Sequence, residues 1–207
     1  MRNDAYADRT IAAYRSQASA AIANWSRFKP PSRFLKIFAQ TVPRGGRILD
    51  YGCGIGLEMR WLKRQKFQVE GVEGSLEFVR QARRYLSAAC IRHTRFETVR
   101  LPTGHFDGIW ANASLMHVPP AVLLTQLEKL QAALKPGGWL GMTLAWGKNK
   151  GFVQTDWIPG RYIAGYQKAQ VRRLLRGWQV SLLRVVSGEG RKGRWIQLLV
   201  SSALPGR

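Results

Sequence analysis

The stretch from Arg47 to Gly56 constrains the fold of this chain more than any other. Its sequence, Arg-Ile-Leu-Asp-Tyr-Gly-Cys-Gly-Ile-Gly, predicts a short apolar strand that ends at an acidic residue and leads into a glycine-rich turn. A helix is predicted directly after the turn, over residues 57–66. Glycines in such a turn adopt positive φ and let the backbone approach a ligand, because they carry no Cβ. Since the first N–H groups of the following helix also face the turn, the sequence predicts a ligand-binding crevice here.

The rest of the chain alternates between predicted strands and helices. Further strands are expected at 67–73, 90–96, 106–111, 139–145, 178–186 and 194–202, and helices at 4–25, 33–41, 75–88, 120–134 and 167–176. Such alternation is typical of a parallel sheet with helices on both faces, and the last two strands are predicted to form an antiparallel pair at its edge. Residues 147–166 are predicted to form a loop, long enough to suggest a functional role.

The length and composition favour a single domain in a reducing compartment. The chain has 207 residues, enough for one sizeable core. It contains no apolar run near the ~20 residues that a membrane span needs, and its first residues have no apolar signal-peptide core. Cys53 and Cys90 make no disulfide framework and match no zinc spacing, so no metal site is expected. These features predict a cytoplasmic protein.

The formal net charge of +21 is the unusual feature of the composition. The excess of basic residues is heaviest after residue 147. Such a charge attracts anions, whether nucleic acid, anionic lipid or an anionic small substrate. A solvated basic surface is an equally good explanation, because the charges are scattered and form no long run.

Glu73 ends the second predicted strand, 21 residues after Gly52. A carboxylate at that position can accept both hydroxyls of a ribose, or it can cap the helix that begins near Ser75; ribose binding is the favoured interpretation. A dinucleotide oxidoreductase would share the turn and the acid. However, Leu57 replaces the third small residue of its fingerprint, and Asp50 is poorly placed beside a pyrophosphate.

Five segments together resemble the class I S-adenosylmethionine-dependent methyltransferases. They are Ile48 to Gly56, Gly71 to Ser75, Glu97 to Asp107, Phe106 to Pro119, and Leu134 to Gly138. They follow one another in the family's order and spacing, and the resemblance covers residues 40–200. It implies a Rossmann-like, doubly wound α/β fold: a mainly parallel seven-stranded sheet with an antiparallel C-terminal edge strand and helices on both faces.

The resemblance also implies S-adenosylmethionine as cofactor, with S-adenosylhomocysteine as product. Within a single domain spanning 1–207, residues 1–44 would form a helical lid, 45–146 the cofactor-binding core, and 147–207 the substrate side. The implied cofactor contacts are Asp50, Tyr51, Gly52, Cys53, Gly54 and Gly56 for the amino-acid part, Glu73 and Gly74 for the ribose, Phe96 and Glu97 for the adenine, and Asn112 and Ala113 near the sulfonium. Tyr14 of the N-terminal segment would close over the cofactor, unless that segment is an ordinary packed helix. Glu97 departs from the family's usual Asp.

Three residues are candidates for catalysis. His117 follows the fourth predicted strand and is placed either to act as a general base or to fix its loop by hydrogen bonding. Arg161 is a candidate to grip an anionic acceptor and Tyr162 to shape its pocket, unless aromatic packing simply ties this loop down.

Three functions are compatible with these residues. The leading hypothesis is methyl transfer by in-line displacement to a small, anionic or nucleophilic acceptor. The alternative is an RNA or other nucleic-acid methyltransferase that uses the basic helix with Lys168, Arg172, Arg173 and Arg176. A non-catalytic S-adenosylmethionine-binding partner subunit is the third.

Overall fold

The computed structural model describes residues 5–154, 157–187 and 193–202. Seven α-helices occur in these ranges: α1 Ala5–Ser16, α2 Ala18–Trp25, α3 Arg33–Thr41, α4 Leu57–Arg64, α5 Leu76–Arg83, α6 Pro120–Ala133 and α7 Lys168–Leu174. Nine strands occur there: β1 Arg47–Tyr51, β2 Gln68–Glu73, β3 Ile91–His93, β4 Phe106–Asn112, β5 Leu134–Trp146, β6 Lys150–Phe152, β7 Tyr162–Tyr166, β8 Trp178–Ser187 and β9 Arg194–Ser202. No helix in these ranges is long and apolar enough to cross a bilayer.

The strands form one mainly parallel sheet. Strands β3, β2, β1, β4 and β5 lie side by side in that order, and each neighbouring pair is parallel. Strand β9 runs antiparallel to β5 over Trp139 to Ala145, and β8 pairs antiparallel with β9 on its far side. These seven strands confirm the predicted doubly wound sheet and its antiparallel C-terminal pair.

The prediction of an unstructured loop at 147–166 is wrong. Strands β6 and β7 pair antiparallel across this segment, and β7 also runs parallel to the end of β5, where Ala145 lies opposite Gly165. Residues 155–156 lie outside the described residues. Two glycines, Gly151 and Gly165, interrupt the hydrophobic alternation by which a strand is recognised in a sequence.

The N-terminal segment forms two helices where the sequence predicts one over 4–25. Helix α1 ends at Ser16, whose hydroxyl donates a hydrogen bond to the Ala13 carbonyl oxygen at 2.9 Å. This bond competes with the main-chain bond that would continue the helix. Gln17 then leaves helical geometry with φ −113° and ψ 18°, and α2 begins at Ala18. Residue 4, and residues 188–192 between the last two strands, lie outside the described residues.

Helices cover both faces of the sheet and bury two apolar clusters. On one face, Leu123, Leu127 and Leu130 of α6 pack against the side chains of β1, β4 and β5. On the other, α3, α4 and α5 bury Phe34, Phe38 and their neighbours against the sheet. The hydroxyl of Ser32 accepts a hydrogen bond from Leu35 N at 3.1 Å and so caps the start of α3. Because strands β3, β2, β1, β4 and β5 are parallel, their carboxyl ends lie at a common edge of the sheet.

Candidate functional site

The turn after β1 requires glycine at several positions. Gly52, Gly54 and Gly56 have φ values of +92°, +53° and +74°. A Cβ on Gly52 would lie 2.4 Å from the Ser114 Cβ, and one on Gly56 would lie 2.8 Å from Leu86 Cδ1. Both the backbone conformation and the crowding therefore exclude a larger residue. The turn is held close to the start of the loop that follows β4.

A cleft of about 1280 Å³ opens between this turn, the carboxyl ends of the strands and the N-terminal helices. Most of the side chains that the sequence predicts for the site line it together: Tyr14, Gly52, Cys53, Gly54, Glu73, Gly74, Phe96, Glu97, Asn112, Ala113, His117 and Arg161. Asp50, Tyr51, Gly56 and Tyr162 are the predicted residues that do not line it. The structure thus brings twelve of the sixteen candidates to one cavity.

Glu73 ends β2 inside this cleft and binds the glycine turn. Its carboxylate accepts hydrogen bonds from Gly54 N and Ser75 N, both at 2.8 Å. Burial raises the pKa of Glu73, while these backbone donors act against the rise. Glu73 therefore supports the start of α5, as in the capping interpretation, and also presents its carboxylate to the cleft.

Asp50 lies beneath the turn and is 2% exposed. Its Oδ2 atom has no hydrogen-bond partner among the described residues. Burial first, and then the charges of Glu58 and Glu73, raise the pKa of Asp50 well above its usual value. An incompletely satisfied carboxyl group beside two other carboxylates is costly, and a bound cation would offset that cost. This end of the cleft is therefore built to accept positive charge.

Glu58 is a site residue that the sequence analysis did not identify. It lies in the first turn of α4 and lines the cleft. Its carboxylate accepts hydrogen bonds from Trp110 Nε1 at 2.8 Å and Asn112 Nδ2 at 2.9 Å. The Thr143 hydroxyl donates to Asn112 Oδ1 at 2.7 Å and accepts from Ala113 N at 2.8 Å. These bonds fix the end of β4 at the floor of the cleft.

Helix α1 contributes a polar side chain from each of three successive turns. The Tyr6 hydroxyl donates to Glu97, the carboxylate that the resemblance assigns to adenine recognition. The Thr10 hydroxyl accepts a hydrogen bond from Tyr162 N at 3.0 Å. The Tyr14 hydroxyl lies 2.9 Å from His117 Nε2. Helix α1 thus covers the cleft and contacts Glu97, His117 and the main chain of Tyr162.

Two tyrosines that the sequence predicts to belong to the site, Tyr51 and Tyr162, do not line the cleft. The Tyr51 hydroxyl donates to Gln126 Oε1 at 2.9 Å, and its ring stacks on Phe96 with centroids 4.4 Å apart. Because side chains alternate along β1, Tyr51 points away from the face that carries Asp50 and enters the core. The Tyr162 ring packs against Tyr6 with centroids 6.0 Å apart. Tyr162 contributes its main chain to the site instead.

The main-chain carbonyl of Tyr162 fixes the tautomer of His117, and burial keeps its ring neutral. His117 Nδ1 lies 2.6 Å from the Tyr162 carbonyl oxygen, which can only accept, so Nδ1 carries the hydrogen. Burial, together with the nearby charge of Arg161, lowers the pKa of His117 to about 4, although the carbonyl bond acts in the opposite direction. The ring is therefore neutral at pH 7, and its Nε2 accepts the hydrogen of the Tyr14 hydroxyl.

Arg161 completes this chain of hydrogen bonds. Its Nη1 donates to the Tyr14 hydroxyl oxygen at 3.2 Å, and the side chain is 7% exposed. The guanidinium carbon also lies 5.6 Å from the centre of the Trp157 ring. Within the described ranges, no three His, Cys, Asp or Glu side chains group as metal ligands.

Comparison with known proteins identifies the family of this chain. A family model described as a methyltransferase domain matches residues 17–199. An uncharacterized methyltransferase of Mycobacterium tuberculosis is 35% identical over 104 residues, which cover 49% of this chain and 52% of that protein. A ubiquinone biosynthesis O-methyltransferase of Xanthomonas axonopodis is 33% identical over 116 residues, or 53% of this chain and 47% of that protein. The chain thus spans about half the length of the curated relatives it matches.

A solved structure shows the same fold over nearly the whole chain. The Burkholderia thailandensis 1,6-didemethyltoxoflavin-N1-methyltransferase, crystallised with 1,6-didemethyltoxoflavin and S-adenosylhomocysteine, superposes with a TM-score of 0.77. The alignment covers 98% of this chain and 91% of that one at 18% identity. Together with the family model, this agreement shows that the chain belongs to the methyltransferase domain family.

Proposed function

We propose that this protein is an S-adenosylmethionine-dependent methyltransferase that acts on a small acceptor with an anionic group. The observation that carries this proposal is that one cleft holds both acidic side chains around the glycine turn and a buried arginine beside His117. The acidic side chains that line it in the described ranges are Glu58, Glu73 and Glu97, near the glycine turn and the adjoining strand ends. Arg161 also lines this cleft, and its charge lies near His117. The acids suit a cationic cofactor, and Arg161 suits an anionic acceptor.

The residues around the turn fit S-adenosylmethionine. Glu58 lines the cleft beside the turn, and Asp50 is buried beneath the turn with its Oδ2 unpartnered among the described residues. A bound ammonium group would favour the charged form of Asp50 and so oppose the rise in its pKa. Glu73 presents acceptor oxygens for ribose hydroxyls, and the glycine backbone leaves room for close approach. When bound, this cofactor supplies a methyl group that is already activated on a sulfonium and open to in-line displacement. The protein then has to align the acceptor and exclude water.

Tyr14 and His117 supply a route for the acceptor's proton. As an acceptor O–H or N–H attacks, its proton passes to the Tyr14 hydroxyl oxygen while the Tyr14 proton passes to His117 Nε2. The imidazole becomes positively charged, and the Tyr162 carbonyl holds its Nδ1–H throughout. An anionic group on the acceptor would pair with Arg161 and weaken the repulsion that lowers the pKa of His117.

Calorimetric titration with S-adenosylhomocysteine tests the cofactor assignment. Wild-type protein should bind, and Glu73→Ala should weaken binding by about tenfold or more, because two charge-assisted contacts are lost. Glu128→Ala is the matched control, since Glu128 is an exposed acid on α6 outside the cleft. No binding, or equal binding by both variants, would refute the assignment.

Methyl-labelled S-adenosylmethionine then identifies the acceptor. The protein is incubated with a lysate that is separated afterwards into RNA, protein and small-molecule fractions. Label in the small-molecule fraction supports the proposal, and its absence from every fraction favours a non-catalytic partner subunit.

Label in RNA would favour the nucleic-acid alternative instead. The basic side chains of that alternative, Lys168, Arg172, Arg173 and Arg176, are exposed and do not line the cleft. An RNA affinity with a steep dependence on salt would be required for that reading.

A further inference from the structure

Two tryptophans are exposed in the part of the chain that the structure describes, and both line the cleft. Trp146 is 39% exposed and Trp157 is 42% exposed. The other large apolar side chains exposed in these ranges, Tyr85, Leu124 and Val180, lie outside the cleft. Leaving an indole ring in water forgoes a large burial free energy. Two such rings at one cavity indicate a ligand that covers them.

Each of these tryptophans has an arginine beside its ring. The Arg161 guanidinium carbon lies 5.6 Å from the Trp157 ring centre, and that of Arg194 lies 4.2 Å from the Trp146 ring centre. Both arginines line the cleft as well. A guanidinium beside an indole presents a flat apolar surface and a planar pair of N–H donors together.

These pairs lie in elements that follow the cofactor motifs in the chain. Trp146 ends β5 and Arg194 begins β9, so the antiparallel register of the two strands brings them together. Trp157 and Arg161 both lie before β7, and Arg161 directly precedes Tyr162, the first residue of that strand. Trp25 of the N-terminal helices packs edge-on against Trp157 with ring centres 6.1 Å apart. The pairs are therefore supported by the sheet and by the helices that cover it.

We propose that the two tryptophan–arginine pairs form the acceptor subsite and that the acceptor is a planar aromatic anion. Its ring system packs against the indoles, and its carboxylate or phenolate pairs with a guanidinium. This inference rests on the proposed function, because it names the acceptor class of the same cleft. The cavity of about 1280 Å³ exceeds the ~300–1,000 Å³ of an ordinary ligand pocket, which leaves space for a fused-ring acceptor beside the cofactor.

Three probes of matched size separate the ring from the charge. Naphthoate is a planar aromatic anion, naphthamide is its neutral counterpart, and decalin carboxylate is an anion of similar bulk without aromatic rings. Each is titrated calorimetrically into the protein saturated with S-adenosylhomocysteine. Naphthoate should bind about tenfold or more tightly than either of the others, because it alone satisfies both the indoles and the guanidinium groups.

Variants locate the binding site. Trp146→Leu, Trp157→Leu, Arg161→Gln and Arg194→Gln should each weaken naphthoate binding by about three- to thirtyfold. Trp146 and Arg194 provide an independent arm if Arg161→Gln, a change at a buried position, destabilises the fold. Tyr85→Leu and Arg60→Gln are the matched controls, since these residues form a cation–π pair at 4.2 Å outside the cleft. They should bind naphthoate as the wild type does.

Two results would overturn the inference: naphthoate that binds no better than naphthamide or decalin carboxylate, or naphthoate binding that survives all four cleft variants. The S-adenosylhomocysteine titration is read separately. Its failure would count against the proposed function, and naphthoate titrated into the protein alone would then still decide whether the aromatic-anion subsite exists.

Discussion

The neutral state of His117 makes the stability of this protein depend on pH in a defined window. Its pKa is about 4 in the folded protein and about 6.5 in the unfolded chain. Below pH 6.5 the unfolded state binds a proton that the folded state does not, so the free energy of unfolding falls as the pH is lowered towards 4. This contribution is fully present above pH 6.5. Between pH 7 and pH 5 the two pKa values give a loss of up to about 2 kcal/mol.

Urea denaturation at pH 7 and pH 5 measures this loss. The wild type should lose up to about 2 kcal/mol more than His117→Gln does, with the m-value unchanged. The variant keeps polar groups near Tyr14 and the Tyr162 carbonyl but does not titrate. Every other ionisable group is present in both proteins, so its contribution cancels in the difference. Equal losses in wild type and variant would show that folding does not lower the pKa of His117, and would refute the argument that burial holds its ring neutral.

Two further substitutions test the glycine turn and the acid beneath it. Gly52→Ala places a Cβ 2.4 Å from the Ser114 Cβ and should weaken S-adenosylhomocysteine binding by more than tenfold in calorimetry. Gly104→Ala is the control: Gly104 also has positive φ (+59°), but an added Cβ there has nothing within 4 Å, so binding should be unchanged. Equal effects of the two substitutions would contradict the crowding argument. Asp50→Asn removes a buried carboxyl group that two other acids oppose. The variant should be as stable as the wild type or more stable by up to about 1 kcal/mol in urea denaturation, and it should bind the cofactor more weakly. A less stable variant with normal binding would argue against a role for Asp50 in binding a cation.

The parts of the fold that the sequence predicts well are those with strong local signals. The strand and turn over Arg47 to Gly56 combine an apolar run with glycines that only a tight turn requires. Ser32 marks the start of α3 because its hydroxyl satisfies a free N–H group at that helix end, and Pro120 opens α6 for a similar reason. In each case, a few neighbouring residues contain the whole physical cause.

The misplaced or missed site residues depend on contacts between distant parts of the chain. Glu58 resembles any acid in the first turn of a helix, and its role arises from Trp110 and Asn112, more than fifty residues away. The alternation of side chains along β1 places Tyr51 on the face opposite Asp50 and so predicts that it points into the core. Its position within the glycine motif nevertheless favoured a contact with the cofactor. The hydrogen bond between Tyr14 and His117 joins residues 103 positions apart, and no periodicity in either segment indicates it.

The position of β9 inside the sheet affects the folding of the chain during synthesis as well as the stability of the folded sheet. Among the strands that the structure describes, β9 comes last in the sequence, yet it separates β5 from β8 and pairs with both. Until Ser202 has left the ribosome, Trp139 to Ala145 of β5 present an open, apolar strand edge, and β8 has no partner. Such edges recruit other strands. The final nine residues of the sheet therefore act as its closure, and shortening them should direct newly made chains towards aggregation.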